Sequence, residues 1–160
     1  VIESSTIEKT IESKTMEQKN AQDLLSKLIA NAEKATGENK LFEMWSNPKK
    51  YKKHIEKRLD EGVINNEQDY QNKTFSVFAK AEKITIAQSL KSDMISGKMQ
   101  VLVDDWIVLL GTNGQIVTSY KFDPIAETFE EKHTKFGDTV YEQSIDSKTR
   151  ELLKKLFDAP

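Results

Sequence analysis

Trp106-Ile107-Val108-Leu109-Leu110-Gly111-Thr112-Asn113-Gly114-Gln115-Ile116-Val117-Thr118-Ser119-Tyr120-Lys121-Phe122 reads as two strands about a tight turn. β-Branched and aromatic residues fill both arms, as on a half-buried pleated surface. Asn113-Gly114 between them predicts a type I′ turn, because both central residues of that turn need positive φ and Asn-Gly supplies it at low steric cost. Successive strand side chains alternate faces, so Thr118 and Tyr120 share one face of the second arm and Ser119 and Lys121 share the other. The alternation does not say which face meets the rest of the protein.

Outward from this hairpin the character of the chain changes twice. Toward the N-terminus, Ile84-Thr85-Ile86 and Gln100 to Val103 read as further strands. Tyr70, Thr74, Val77, Phe78 and Ala81 before them fall at helical spacing. An earlier helix starts at Asn47-Pro48 and stops at Gly62, with Tyr51, Ile55 and Leu59 expected to face the core at i, i+4 and i+8. Toward the C-terminus, Asp123-Pro124 closes the sheet region and Gly137-Asp138 marks a later turn. Leu152, Leu153, Leu156 and Phe157 then line one face of a terminal helix. The expectation is an α+β domain, with N-terminal helices followed by a small antiparallel four-stranded sheet and a C-terminal helix.

The first 38 residues differ from the rest. From Ser4 to Lys34 there is neither proline nor glycine, and Met16, Leu24, Leu25, Leu28, Ile29 and Ala32 leave a thin apolar stripe. Gly37 suits a helix stop. Residues 1–38 therefore read as a separable helical linker or delivery arm, and 39–160 as the folded domain. A chain of 160 residues supports one ordinary core plus such an arm.

Composition removes several classes of function. There is no cysteine, so a disulfide framework and a thiolate zinc site are excluded, and two histidines make a poor metal cluster. No apolar run is long enough to cross a bilayer, and no P-loop, dinucleotide glycine fingerprint, nucleophile elbow or HExxH motif is present. No metal and no cofactor is implied. Net charge is only −2, but its distribution is uneven. Between Lys49 and Arg58 six cations stand against one anion, a local +5, so the remainder carries −7. Such asymmetry focuses a polyanion onto one strip.

Lys52-Lys53-His54-Ile55-Glu56-Lys57-Arg58 on that helix is followed by Glu61-Gly62-Val63-Ile64, Asp69-Tyr70, and the Trp106 to Tyr120 hairpin. Over roughly residues 45–125 this order resembles the barnase/EndoU/colicin D/RelE superfamily of ribonucleases, in particular its bacterial toxin and phage-encoded branches. The resemblance implies a metal-independent endoribonuclease that cleaves tRNA or other RNA by attack of the 2′-OH. It also implies a cognate immunity protein as partner, and delivery within a larger secreted protein to the cytoplasm of a target cell.

The residues suit that chemistry, which needs a base, charge stabilisation at phosphate and an acid for the leaving oxygen. His54 is the expected general base or acid, since imidazole titrates near neutrality. Lys53, Lys57 or Arg58 would clamp phosphate, Thr118 would bond it from the strand, and Tyr120 would stack on a base or assist proton transfer. Ser119 and Lys121 are the substitutes if the opposite strand face is used.

Each feature also has a plainer reading. A basic helix strip is commonly a solvated face, a histidine among lysines is commonly surface, and Trp45 and Trp106 suit a core. His133 lies in a polar stretch and reads as structural. The competing functions are a non-catalytic interaction module whose basic helix docks an acidic partner, and an RNA binder that does not cleave.

Overall fold

The computed structural model describes residues 2–35, 40–102 and 105–157, with side chains from 16 to 35 and from 42 onward within those limits. In chain order it forms α1 (Ile2–Lys34), α2 (Lys40–Met44), α3 (Pro48–Glu61), α4 (Glu67–Lys80), β1 (Lys83–Gln88), β2 (Ile95–Val101), β3 (Trp106–Leu110), β4 (Ile116–Lys121), α5 (Phe129–Lys135), β5 (Thr139–Ser144) and α6 (Ser147–Phe157). The expected helix stop at Gly37, and Val103 at the end of an expected strand, lie outside the described residues.

The sheet has five strands in the order β4-β3-β2-β1-β5, every neighbouring pair antiparallel. The expected four strands are present and a fifth is added at the far edge. After Asp123-Pro124 the chain crosses over through α5, turns at Gly137 (φ 81) and returns beside β1. The second strand also lies earlier than expected, over Ile95–Val101.

The turn at Asn113-Gly114 differs from the expected type. Gly114 alone of the pair has positive φ (72), and its N–H donates to the Gly111 carbonyl while the Gly111 N–H donates to that of Gln115. This is a three-residue loop, a type I turn closed by a left-handed glycine. One pair beyond it, between Leu109 and Leu110, the register between β3 and β4 shifts, with Val117 the extra residue of a separate bulge.

Pairing register assigns the two faces. Ile84, Met99, Val108 and Ser119 stand in one row across β1 to β4, on the face that carries Ile86, Val101, Trp106 and Leu110, and all are buried. α1 and α4 pack on this face, with α6 behind α4. The opposite face carries the row Thr118, Leu109, Lys98, Thr85 and Glu142, and α5 with the segment before it covers part of it through Phe129.

The segment read as a separable arm is, over residues 21–32, part of the same core. Ala21, Leu24, Leu25, Leu28, Ile29 and Ala32 are all buried. The stripe is thin, yet the helix approaches closely enough to bury it because glycines floor its seat. A Cβ on Gly97 would lie 2.6 Å from Leu24 Cδ2, and one on Gly114 would lie 2.6 Å from the Leu28 backbone nitrogen.

Candidate functional site

α3 begins where Asn47 accepts the backbone N–H groups of Lys49 and Lys50, with Pro48 in the first turn, and ends at left-handed Gly62. Its buried positions are Tyr51, Ile55 and Arg58. Leu59, expected inside, is 41% exposed, and Arg58 takes its place. The reason is that α3 lies along the outer edge of β4, where a strand offers carbonyl groups as well as side chains. Arg58 Nε donates to the Ser119 carbonyl (3.2 Å), Nη1 pairs with Glu61, and the guanidinium lies 5.7 Å from the centre of the Tyr120 ring.

The helix thus splits its cations by depth. Lys49, Lys50, Lys52, Lys53 and Lys57 are exposed, and none forms an ion pair with a described residue. His54 sits between the two layers, half-buried, with the Trp45 ring centre 5.8 Å away. Its Nδ1 lies 3.4 Å from Thr118 Oγ1, and either atom can donate according to the tautomer. Burial lowers the His54 pKa below its ordinary 6.5, and Arg58, Lys57 and Lys50 lower it further. The imidazole is therefore neutral at neutral pH and able to accept a proton.

Of the residues singled out in the sequence, His54, Arg58, Thr118 and Tyr120 meet at this edge. Thr118 reaches His54 around the outside of β4. Tyr120, two residues on, is half-buried and lines a small pocket with Lys98, Phe129 and Glu130, where Lys98 and Glu130 pair. Burial raises the Tyr120 hydroxyl's pKa, Glu130 raises it further, and Arg58 opposes both. Lys57 helps to lower the His54 pKa, and Lys53 is exposed on the same helix. Lys121 is exposed at the end of β4.

Ser119 faces away from this group. It is fully buried under α4, and a directed chain of hydrogen bonds runs through it. Thr74 Oγ1 gives its only proton to the Tyr70 carbonyl (2.8 Å), so Ser119 is the donor in the 2.7 Å contact with Thr74, and its oxygen accepts the Trp106 indole N–H (2.5 Å). The Ser119 carbonyl, already taken by Arg58, also accepts the Tyr70 hydroxyl at 3.3 Å.

Lys50 and Trp45 frame His54; the sequence places Lys50 only within the basic strip and Trp45 only in the core, and neither is among the expected site residues. Lys50 stands four residues before the histidine, so helical spacing does carry that signal. Lys98 and Glu130 meet across the sheet from distant positions, and no local pattern marks them. Among the described residues no cluster of three or more His, Asp or Glu side chains is arranged to hold a metal ion, and no helix is long and apolar enough to cross a membrane. His133 is paired with Asp138 at 2.7 Å at the end of α5, and the Asp138 N–H returns to the His133 carbonyl, so the pair closes that helix.

A family model described as Uncharacterised protein aq_aa01 matches residues 35–159. The chain belongs to that family. The match takes in α3, the whole sheet and α6, and begins where α1 has just ended. No curated protein and no solved structure matches the chain.

Proposed function

We propose that this chain carries a metal-independent endoribonuclease domain, a toxin that cleaves tRNA or other RNA and is neutralised by a cognate immunity protein. The observation that carries the reading is the meeting of His54 with Thr118, with exposed lysines along the same helix that form no ion pair with a described residue. A neutral imidazole beside a cationic strip suits a general base for a polyanionic substrate, since bound phosphate raises the basicity of the imidazole as the proton moves. His54 removes the 2′-OH proton, the 2′ oxygen attacks phosphorus, and the bond to the 5′ oxygen breaks to leave a 2′,3′-cyclic phosphate. Lys50 and Lys57 offset the charge that builds on the phosphate, and Thr118 orients the imidazole or a phosphate oxygen. Tyr120, kept protonated, is the candidate donor to the departing oxygen.

Delivery within a larger secreted protein to a target-cell cytoplasm belongs to the same reading, and an immunity protein would present an acidic face to the α3 strip. Those lysines equally suit a non-catalytic module that docks an acidic partner. One experiment separates the two. The purified chain is incubated with total bacterial RNA in EDTA, beside His54→Ala, and the products are resolved by denaturing electrophoresis with end-group analysis. Fragments with cyclic phosphate ends from the wild type alone are expected. Intact RNA with folded wild type overturns the ribonuclease reading and favours the docking module.

A further inference from the structure

We infer that Lys27 and Asn31 of α1 are positioning residues for the His54–Thr118 pair, acting through the turn between β3 and β4. The inference rests on the functional reading of that pair and adds an element outside the part of the chain that the family model matches.

β4 is an edge strand, so only β3 fixes it through a backbone ladder, and that ladder is interrupted by the register shift between Leu109 and Leu110. What else holds β4 decides where Thr118 lies. On the outer edge, the Ser46 N–H donates to the Ile116 carbonyl, and Arg58 and Tyr70 donate to that of Ser119. At the start of the strand α1 takes over. Lys27 Nζ donates to the Thr112 carbonyl at 3.3 Å and Asn31 Nδ2 to the Asn113 carbonyl at 3.0 Å. Between these two residues the α1 backbone lies so close to Gly114 that no Cβ fits there. Thr118 stands four residues beyond this clamp. Freeing the turn lets β4 move along the bulge, and a displacement of about 1 Å at a reacting group costs up to roughly a hundredfold in rate.

Both hydrogen bonds are exposed, so their removal leaves the buried face of α1 and the fold in place. The test uses the full chain with Lys27→Ala and Asn31→Ala combined, and Gln22→Ala, exposed on the same helix, as control. Two readouts are taken on protein whose melting transition is intact. One is the NMR titration of the His54 ring, readily assigned because the chain has two histidines. The other is the kinetics of RNA cleavage.

In the double variant the His54 midpoint is expected to rise toward the ordinary imidazole value as the site loosens. kcat is expected to fall about tenfold while KM stays within about twofold. The control moves neither. An unchanged midpoint in the folded double variant overturns the inference whatever the activity. A rise in KM alone, with the midpoint fixed, also overturns it, since the two side chains would then be direct contacts for RNA. Should the wild type fail to cleave RNA, the ribonuclease reading falls, and the titration still decides the positioning role.

Discussion

Replacing Ser119 with alanine removes one oxygen atom from the middle of the buried chain that runs from the Trp106 indole through Ser119 and Thr74 to the Tyr70 carbonyl. The indole N–H, buried with Trp106 at 1% exposure, then has no acceptor, at a cost of about 1–3 kcal/mol. Thr74 loses the proton it accepted and keeps its own bond to Tyr70, which adds about 1 kcal/mol. The expected loss is about 2–4 kcal/mol, or a fall in Tm of roughly 4–16 °C for a domain of this size. Urea unfolding followed by tryptophan fluorescence measures it. Combining the change with Thr74→Val should show a coupling of about 1 kcal/mol, because the two hydroxyls share one bond. A loss below about 0.5 kcal/mol for Ser119→Ala, with no coupling, would refute the directed chain of donors.

Leu28→Ala, at a fully buried position of α1, should cost about 2–5 kcal/mol in the same urea experiment, whereas a loosely attached arm would lose nothing in global stability. Gly97→Ala should cost about 1–3 kcal/mol, since the new methyl meets Leu24 and Ile84, and part of the loss should return when it is combined with Leu24→Ala. His54 makes stability depend on pH in a definite sense. Its pKa is lower folded than unfolded, so its contribution is whole above about pH 6.5 and is lost as pH falls through the folded value. Between about pH 8 and about pH 5 the Tm of His54→Gln should therefore fall less than that of the wild type. The acid limb of kcat/KM, which reports the same group in the free protein, should lie below pH 6.5.

What was legible in the sequence follows from how each element is buried. α4 lies on other apolar elements, so its buried residues keep helical spacing and could be read directly. On α6, Leu153 and Phe157 are buried as expected, but Leu152 is exposed and Thr149 takes a buried place that no apolar pattern marked. α3 lies against a strand edge, and there an arginine with hydrogen-bond partners displaces the leucine that periodicity favoured. β5 pairs with one neighbour and has no fully buried residue among Thr139 to Ser144, so it lacked the apolar alternation that marks a strand. For α1 the spacing of apolar residues was visible, but its burial depends on Gly97 and Gly114, far along the chain. The meeting of His54 with Thr118 was foreshadowed only as two candidate residues on separate elements. Alternation paired Thr118 with Tyr120, and which face served which purpose waited on the position of α3.

The capped edge of β4 also bears on how this molecule behaves in company. A strand edge with free carbonyls invites another chain to pair with it, the first step of many aggregates. Here the Ile116 and Ser119 carbonyls are already occupied by Ser46, Arg58 and Tyr70. The same contacts that hold Thr118 beside His54 keep the sheet from growing past β4. A variant that loses Arg58 therefore gives up a guard against self-association along with the geometry of its site.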